Sequence, residues 1–181
     1  MGYSKGVISI PSVTGDVTIY VTAERPLACT NVARTGISKS GTLYNGVGYK
    51  DDTDIDSSGN DRTNSRFTAT GFIAVTPEVE HILRFGGTAQ PDWNEYGHSL
   101  CTYDSSFNLI RATGYSNWAN GGDYQPNMST ESGCTYKMTL PSGLITSKVA
   151  YIRVSVKTTA SGTAVTGGGA GLIIALDEAI Y

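Results

Sequence analysis

One stretch of alternating residues sets the fold class of this chain. Residues 149–156 read Val-Ala-Tyr-Ile-Arg-Val-Ser-Val, and the apolar residues at 152, 154 and 156 alternate with the residues at 151, 153 and 155. Because side chains alternate across a strand, the pattern predicts a half-buried β-strand with its apolar face inward. A lone strand is not stable in water, so the rest of the chain must supply partners.

Several further stretches carry strand patterns, at residues 66–75, 79–85, 100–103, 107–111, 135–140 and 171–176. Asp104, Ser105 and Ser106 predict a tight turn between two of them, because Asp and Ser side chains bond to their own backbone. Almost nothing in the sequence is typical of helix, which leaves no helical crossovers for a parallel sheet. We therefore predict an all-β chain, an antiparallel β-sandwich with a jelly-roll-like topology.

The N-terminal part predicts a separate unit. A short strand, a turn at Gly15-Asp16 and a longer strand span residues 6–22, which is a hairpin pattern. We assign residues 1–24 to an N-terminal β-hairpin arm that links or oligomerises, and residues 25–181 to the sandwich. Residues 27–64 are polar and glycine-rich with weak strand signals, so we expect irregular segments that wrap around the sandwich, with one or two short strands.

Composition and charge argue against two kinds of partner, nucleic acid and membrane. Only 16% of the 181 residues are charged, against about 25% in an average soluble protein; hydroxyl and amide residues fill the difference, as is common in extracellular and virion β-proteins. The net charge is −3 and the 13 Lys and Arg form no basic run, which argues against nucleic acid. The sequence contains no stretch of about 18 apolar residues, so we expect no membrane insertion. Residues 1–6 carry no signal-peptide core, so we expect any extracellular role to follow virion assembly and lysis.

Five short segments resemble parts of tailed-bacteriophage proteins. Residues 6–21 (Gly-Val-Ile-Ser-Ile-Pro-Ser-Val-Thr-Gly-Asp-Val-Thr-Ile-Tyr-Val) resemble a segment that leads from one β-domain into the next in tail and fibre proteins. Residues 45–51 (Asn-Gly-Val-Gly-Tyr-Lys-Asp), 70–75 (Thr-Gly-Phe-Ile-Ala-Val), 103–106 and 150–155 resemble a jelly-roll module of fibres and baseplates. The resemblance implies a virion protein, often a trimer, which contacts other virion proteins and in some cases host-surface glycans. It implies no catalytic residues.

Two polar loops rich in aromatic residues flank the hairpin at residues 100–112, and they contain both tryptophans. Aromatic faces stack on sugar rings while amide and carboxylate groups bond the hydroxyls, and a few placed polar groups among apolar walls make a ligand site. The alternative is that the aromatic side chains cap the core or fill a subunit interface. The candidate glycan-binding residues are Trp93, Asn94, Tyr96, His98, Tyr115, Trp118 and Tyr124.

An acidic run contains Asp52, Asp54 and Asp56. Carboxylates at alternate positions can supply oxygen ligands to Ca²⁺, but the late Gly59 and the Thr at position 63 depart from an EF-hand. A looser Ca²⁺ site is one hypothesis and a solvated acidic loop is the other. We expect no further cofactor.

The sequence offers little for catalysis. His98 is the one plausible acid–base group, since His81 alternates within an apolar strand and is better explained as a core residue. Asp92, Glu95 and Asp123 could form a carboxylate pair of glycosidase type, but any Asp-rich β-protein offers such pairs, and catalytic motifs are absent. We therefore expect no enzyme.

Three cysteines lie far apart, at Cys29, Cys101 and Cys134. Their odd number and wide spacing predict reduced side chains that pack as small hydrophobic groups, with a Cys101–Cys134 bridge as the alternative.

These features together predict a non-enzymatic bacteriophage virion protein, a tail-fibre or tail-tip receptor-binding module that attaches to a host-surface glycan as a homo-oligomer, with a trimer favoured. The alternatives are an architectural virion protein without a ligand, such as a capsid decoration or baseplate spacer, and a glycan depolymerase.

Overall fold

The computed structural model describes residues 31–87, 89–90, 100–113, 127–131, 134–160, 163–164 and 168–178. The arm predicted at residues 1–24 lies outside these ranges. Short 3-10 turns occur at Val32–Arg34, Tyr44–Gly46 and Gly168–Gly171. The strands are β1 (Tyr49–Ile55), β2 (Asp61–Thr70), β3 (Ile73–Ala74), β4 (His81–Gly87), β5 (Ala89–Gln90), β6 (Leu100–Tyr103), β7 (Leu109–Thr113), β8 (Asn127–Glu131), β9 (Cys134–Leu140), β10 (Tyr151–Ala160), β11 (Thr163–Ala164) and β12 (Leu172–Glu178). The described part of the chain contains no helix long and apolar enough to cross a membrane.

The strands form two sheets. The larger follows the order β1-β2-β10-β6-β7, with β3, β5 and β11 also paired to β10, and the smaller follows β12-β4-β9-β8. Every pairing is antiparallel. Along the chain, β2, the hairpin β6–β7 and β10 join the large sheet, while β4, the hairpin β8–β9 and β12 join the small one. These two antiparallel sheets confirm the predicted all-β sandwich.

The main core fills the space between the sheets. Side chains at alternate positions of β4, β9, β10 and β12 meet there, as the apolar alternation predicts. The members from these four strands are Leu83, Phe85, Met138, Leu140, Ile152, Val154, Val156, Leu172 and Ile174, each at most 1% exposed.

The hairpin predicted at residues 100–112 is also confirmed. The carboxylate oxygen Oδ1 of Asp104 accepts hydrogen bonds from the backbone N–H groups of Ser106 and Asn108, at 2.8 and 2.9 Å. This is the side-chain-to-backbone bonding that tightens such turns. At the other end of the hairpin, Leu100 of β6 pairs with Thr113 of β7.

The central strand β10 departs from its prediction. Residues 149–156 were expected to be half-buried, but Arg153 and Ser155, on the face away from the main core, are only 4% and 1% exposed. A second apolar cluster lies on this outer face of the large sheet, and it is formed by Ile55, Ala69, Phe72, Cys101 and Tyr103. The half-buried expectation is therefore wrong, because β10 is covered on its outer face at Arg153 and Ser155 as well as on its core face.

The acidic run is a strand, so its interpretation as a loop is wrong for the residues of β1. Asp54 is fully buried, where Arg62 of β2 binds it through two hydrogen bonds of 2.8 and 2.6 Å and Asn64 adds a third of 2.8 Å. Asp52 has a positive φ of 54° at a shift of register between Asp51 and Thr53. Pairing with Arg62 across the hairpin neutralises the buried charge of Asp54. A β-bulge accommodates the positive φ of Asp52. The expected irregular path holds for residues 31–48.

The Asp54–Arg62 pair should respond asymmetrically to mutation. Arg62→Gln leaves a fully buried carboxylate without its cation and should lower the free energy of unfolding by about 2 kcal/mol or more. Asp54→Asn should cost less, because the Arg62 side chain is 44% exposed and can be solvated. Urea unfolding measures both, with Lys148→Gln at an exposed position as the control for the loss of one positive charge. A larger loss for Asp54→Asn than for Arg62→Gln would contradict this assignment.

Candidate functional site

Residues 36–48, here called the covering segment, lie over the outer face of the large sheet. Ile37 and Phe72 exchange two backbone hydrogen bonds, each 2.9 Å long, and the N–H of Gly71 donates to the carbonyl of Gly48 at 3.0 Å. Tyr44 donates its backbone N–H back to Gly36 within the segment, at 2.9 Å. The segment is thus fixed to the chain between β2 and β3 by main-chain bonds.

Glycine allows this close approach. A Cβ atom on Gly36 would lie 2.5 Å from the carbonyl oxygen of Gly48, and one on Gly71 would lie 2.5 Å from Cβ of Tyr44. Both distances are shorter than real contacts, so the backbones meet only because neither residue has a side chain. The contact sets Tyr44 directly against the sheet.

Arg153 is the central charged group beneath the covering segment. Its Nε donates to the carbonyl of Thr70 at 2.8 Å and its Nη2 to Oδ1 of Asp61 at 2.7 Å, while Nη1 lies 3.4 Å from the carbonyl of Gly59. The guanidinium carbon also lies 5.2 Å from the ring centroids of both Tyr44 and Phe72, which is cation–π distance. The charge is therefore buried with partners on several sides.

Asp61 joins three donors at the edge of this site. Its Oδ2 accepts from the hydroxyl of Tyr44 and lies 3.5 Å from Nζ of Lys50, while Oδ1 bonds Arg153. Burial alone would raise the pKa of Asp61, but the hydrogen bonds from Tyr44 and Arg153 and the nearby positive charges outweigh it and lower the pKa. Asp61 is thus held as a carboxylate.

The pKa of Tyr44 shifts in the opposite direction. Its burial, followed by its hydrogen bond to the Asp61 carboxylate, raises the pKa of the Tyr44 phenol well above its ordinary value. The phenol therefore stays protonated and acts as a donor. Tyr44, Asp61 and Arg153 form one hydrogen-bonded unit in which Tyr44 is protonated and Asp61 is ionised at neutral pH.

A pocket of about 300 Å³ opens beside this unit. Its volume is at the lower end of the range for small-molecule sites, roughly 300–1,000 Å³. It combines ring faces with two cationic groups, one carboxylate, an amide and two hydroxyls, which suits recognition of a small polar ligand. The lining residues are Ser38, Lys39, Tyr44, Gly59, Asn60, Asp61, Phe72 and Arg153.

The glycan-binding residues expected from the sequence lie outside the described ranges. They are Trp93, Asn94, Tyr96, His98, Tyr115, Trp118 and Tyr124. Asp92, Glu95 and Asp123 lie outside them as well. The glycan-binding prediction therefore stays a prediction.

The three carboxylates of the calcium hypothesis have separate roles. Asp54 binds Arg62 and Asn64, whereas Oδ1 of Asp56 accepts from the backbone N–H groups of Ser58 and Asn60 at 2.8 and 2.9 Å, closing the β1–β2 turn. Asp52 is exposed at the bulge. Among the described residues, no three His, Cys, Asp or Glu side chains are grouped to hold a metal ion. The calcium site stays a prediction.

His81 and Cys101 belong to the packed interior. His81 is 2% exposed, its Nδ1 lies 2.8 Å from the carbonyl of Val79, and its Nε2 accepts from the N–H of Thr76 at 3.2 Å. This agrees with the interpretation of His81 as a core histidine with both ring nitrogens satisfied. The thiol of Cys101 is buried outside any disulfide, and burial raises its pKa to about 12. The side chains of Cys29 and Cys134 lie outside the described set.

Sequence reasoning missed the unit of Tyr44, Asp61 and Arg153. Asp61 is separated from Tyr44 by 17 positions and from Arg153 by 92, so no local spacing joins them. One signal was available: Arg153 stands within a strand pattern whose other members are mostly apolar. A charge in such a strand calls for a partner, but the pattern does not identify it.

Comparison with known proteins gives no relative. No family model, curated protein or solved structure matches the chain.

The hydrogen bonds to Asp61 predict a pH-dependent contribution to stability. Because the folded pKa of Asp61 is lowered, its contribution should be complete above the unfolded value of about 3.9 and lost as the pH falls through the folded value. Urea unfolding at pH 6 should therefore show Asp61→Asn less stable than wild type by about 1 kcal/mol, and the difference should shrink below pH 4.

Asp52→Asn, which removes an exposed carboxylate from β1, controls for the change of net charge. A difference between wild type and Asp61→Asn that stays constant from pH 6 to pH 3 would argue against the ionic pairing described above.

Proposed function

We propose that this chain is a non-enzymatic module of a tailed-bacteriophage virion, placed in a tail fibre or tail tip, that attaches the particle to a glycan on the host surface. The sandwich fold supports the proposal, since a rigid two-sheet scaffold can present loops without using its interior. The low share of charged residues supports it too, as do the short segments at residues 45–51, 70–75, 103–106 and 150–155 that resemble parts of phage fibre and baseplate proteins.

The pairing of Leu100 with Thr113 carries the proposal. These residues are register partners at one end of the β6–β7 hairpin, where the hydroxyl of Thr113 also donates to the carbonyl of Leu100 at 2.6 Å. The segment with Trp93 leads into Leu100, and the segment with Trp118 leaves from Thr113. Both tryptophan-bearing segments are therefore tethered to neighbouring positions of one sheet.

Such a pair of segments offers the chemistry that a sugar requires. Tryptophan and tyrosine rings provide flat apolar surface for the C–H faces of a sugar ring, and the Asn and His residues beside them provide hydrogen-bonding groups. A single site of this kind gives weak binding. We propose that a homo-oligomer, a trimer in the favoured case, repeats the site and gains avidity without new contacts.

An architectural role in the virion, with the aromatic segments at a subunit interface, is the second candidate. The same tethering at Leu100 and Thr113 fits it, because aromatic residues are enriched at interfaces as well as at sugar sites. In that case the tryptophans would bind protein and no glycan.

A glycan array separates the two roles. Wild-type protein should bind at least one class of bacterial surface glycan, and Trp93→Ala and Trp118→Ala should each weaken binding by about tenfold, as expected for the loss of an aromatic anchor. Leu43→Ala, which removes a 48% exposed apolar side chain from the covering segment, is the matched control and should bind as wild type does. An array without any bound glycan, or two tryptophan variants that bind unchanged, would favour the architectural role.

A further inference from the structure

We propose that the pocket beside Arg153 binds the carboxylate of an acidic sugar, with a hexuronic acid as the model ligand. The inference rests on the proposed glycan attachment and narrows its ligand to glycans that carry carboxylate groups. The residues that line this pocket are different from the glycan-binding residues named above.

The charges around the pocket favour an anion. Lys39 and Arg153 line it together with one carboxylate, that of Asp61, and Nζ of Lys50 lies 3.5 Å from Asp61. The pocket therefore has more positive than negative charge, although the chain as a whole carries −3. A local surplus opposed to the overall sign attracts anionic ligands to this face.

Arg153 supplies a fixed positive charge. Its guanidinium is held by hydrogen bonds to Thr70, Gly59 and Asp61. The side chain lines the pocket, so its charge lies beside any ligand bound there. Because the cation is already held by backbone carbonyls and two rings, little conformational entropy would be lost when it binds a carboxylate.

The other lining groups suit a sugar ring better than a bare anion. Asn60 and Lys39 are exposed at the pocket and can bond ring hydroxyls, and the half-buried ring of Tyr44 supplies an apolar wall. The volume of about 300 Å³ suits one small cyclic ligand. We therefore expect a single acidic sugar unit with its carboxylate toward Arg153 and its hydroxyls toward Asn60 and Lys39.

Titration of the full chain with D-glucuronic acid, followed by amide NMR, tests the inference, with D-glucose and acetate as probes that each lack half of the ligand. Glucuronic acid should shift amides at residues 38–39, 59–61 and 153 more than either probe does at equal concentration. Lys39→Gln should raise the Kd about threefold, as expected for an exposed charge. Lys148→Gln, at an exposed lysine that does not line the pocket, should leave the Kd unchanged.

Asp61→Asn gives a test of opposite sign. The amide keeps an acceptor oxygen for Arg153 but removes the carboxylate that competes with the ligand, so glucuronic acid should bind about threefold tighter or better. Weaker binding by this variant, with its amide spectrum still dispersed, would show that the ion pair supports the pocket rather than competes for it and would overturn the inference.

The remaining outcomes are also decisive. Equal shifts with acetate would reduce the pocket to a general anion site, and equal shifts with glucose would remove the role of charge; either overturns the inference. An absence of shifts at these residues would overturn it as well, without touching the glycan attachment proposed above, which depends on the tryptophan variants. Conversely, if glucuronic acid binds in this pocket while the glycan array shows no binding, the attachment role is contradicted and the pocket is not.

Discussion

The buried guanidinium of Arg153 is the constraint on which the outer half of this molecule depends. A charge removed from water is costly unless it is paired and hydrogen-bonded, and at this position the partners come from far along the chain. Asp61 begins β2, the carbonyl of Thr70 ends it, and Tyr44 belongs to the covering segment. The cation can therefore be buried at low cost only when the β1–β2 hairpin and the covering segment are both in place.

Apolar alternation predicted much of the sandwich, and the failures have a common cause. Strands such as β4, β9 and β12 were found because each buries alternate side chains against the main core, a signal carried by the local sequence. Strand β1 was missed because its inward groups include Asp54, whose burial depends on Arg62 across the hairpin. The outer face of β10 was misjudged for the same reason: Arg153 reads as a solvent-facing residue until its distant partners are known.

The candidate site also depends on contacts between residues that are far apart in the sequence. Gly36, Gly48 and Gly71 are far apart in sequence, and their role becomes visible only where the backbone of the covering segment meets the chain between β2 and β3. The aromatic segments, by contrast, could be proposed from the sequence because Trp93 and Trp118 flank one hairpin. The pocket and the proposed glycan-binding residues are linked through the chain: Arg153 pairs with Cys101 of β6, and the segment containing Trp93 leads into the adjacent Leu100.

Native-state hydrogen exchange tests most directly whether the covering segment is part of the folded core. The amides of Ile37 and Phe72 bond each other's carbonyls across the contact between segment and sheet, and the amide of Val154 in β10 is bonded by the hydroxyl of buried Thr70. All three amides should exchange with similar free energies, close to that of global unfolding. Rapid exchange at Ile37 and Phe72 while Val154 stays protected would contradict the account, since the segment would then open independently of the charge that it is said to bury.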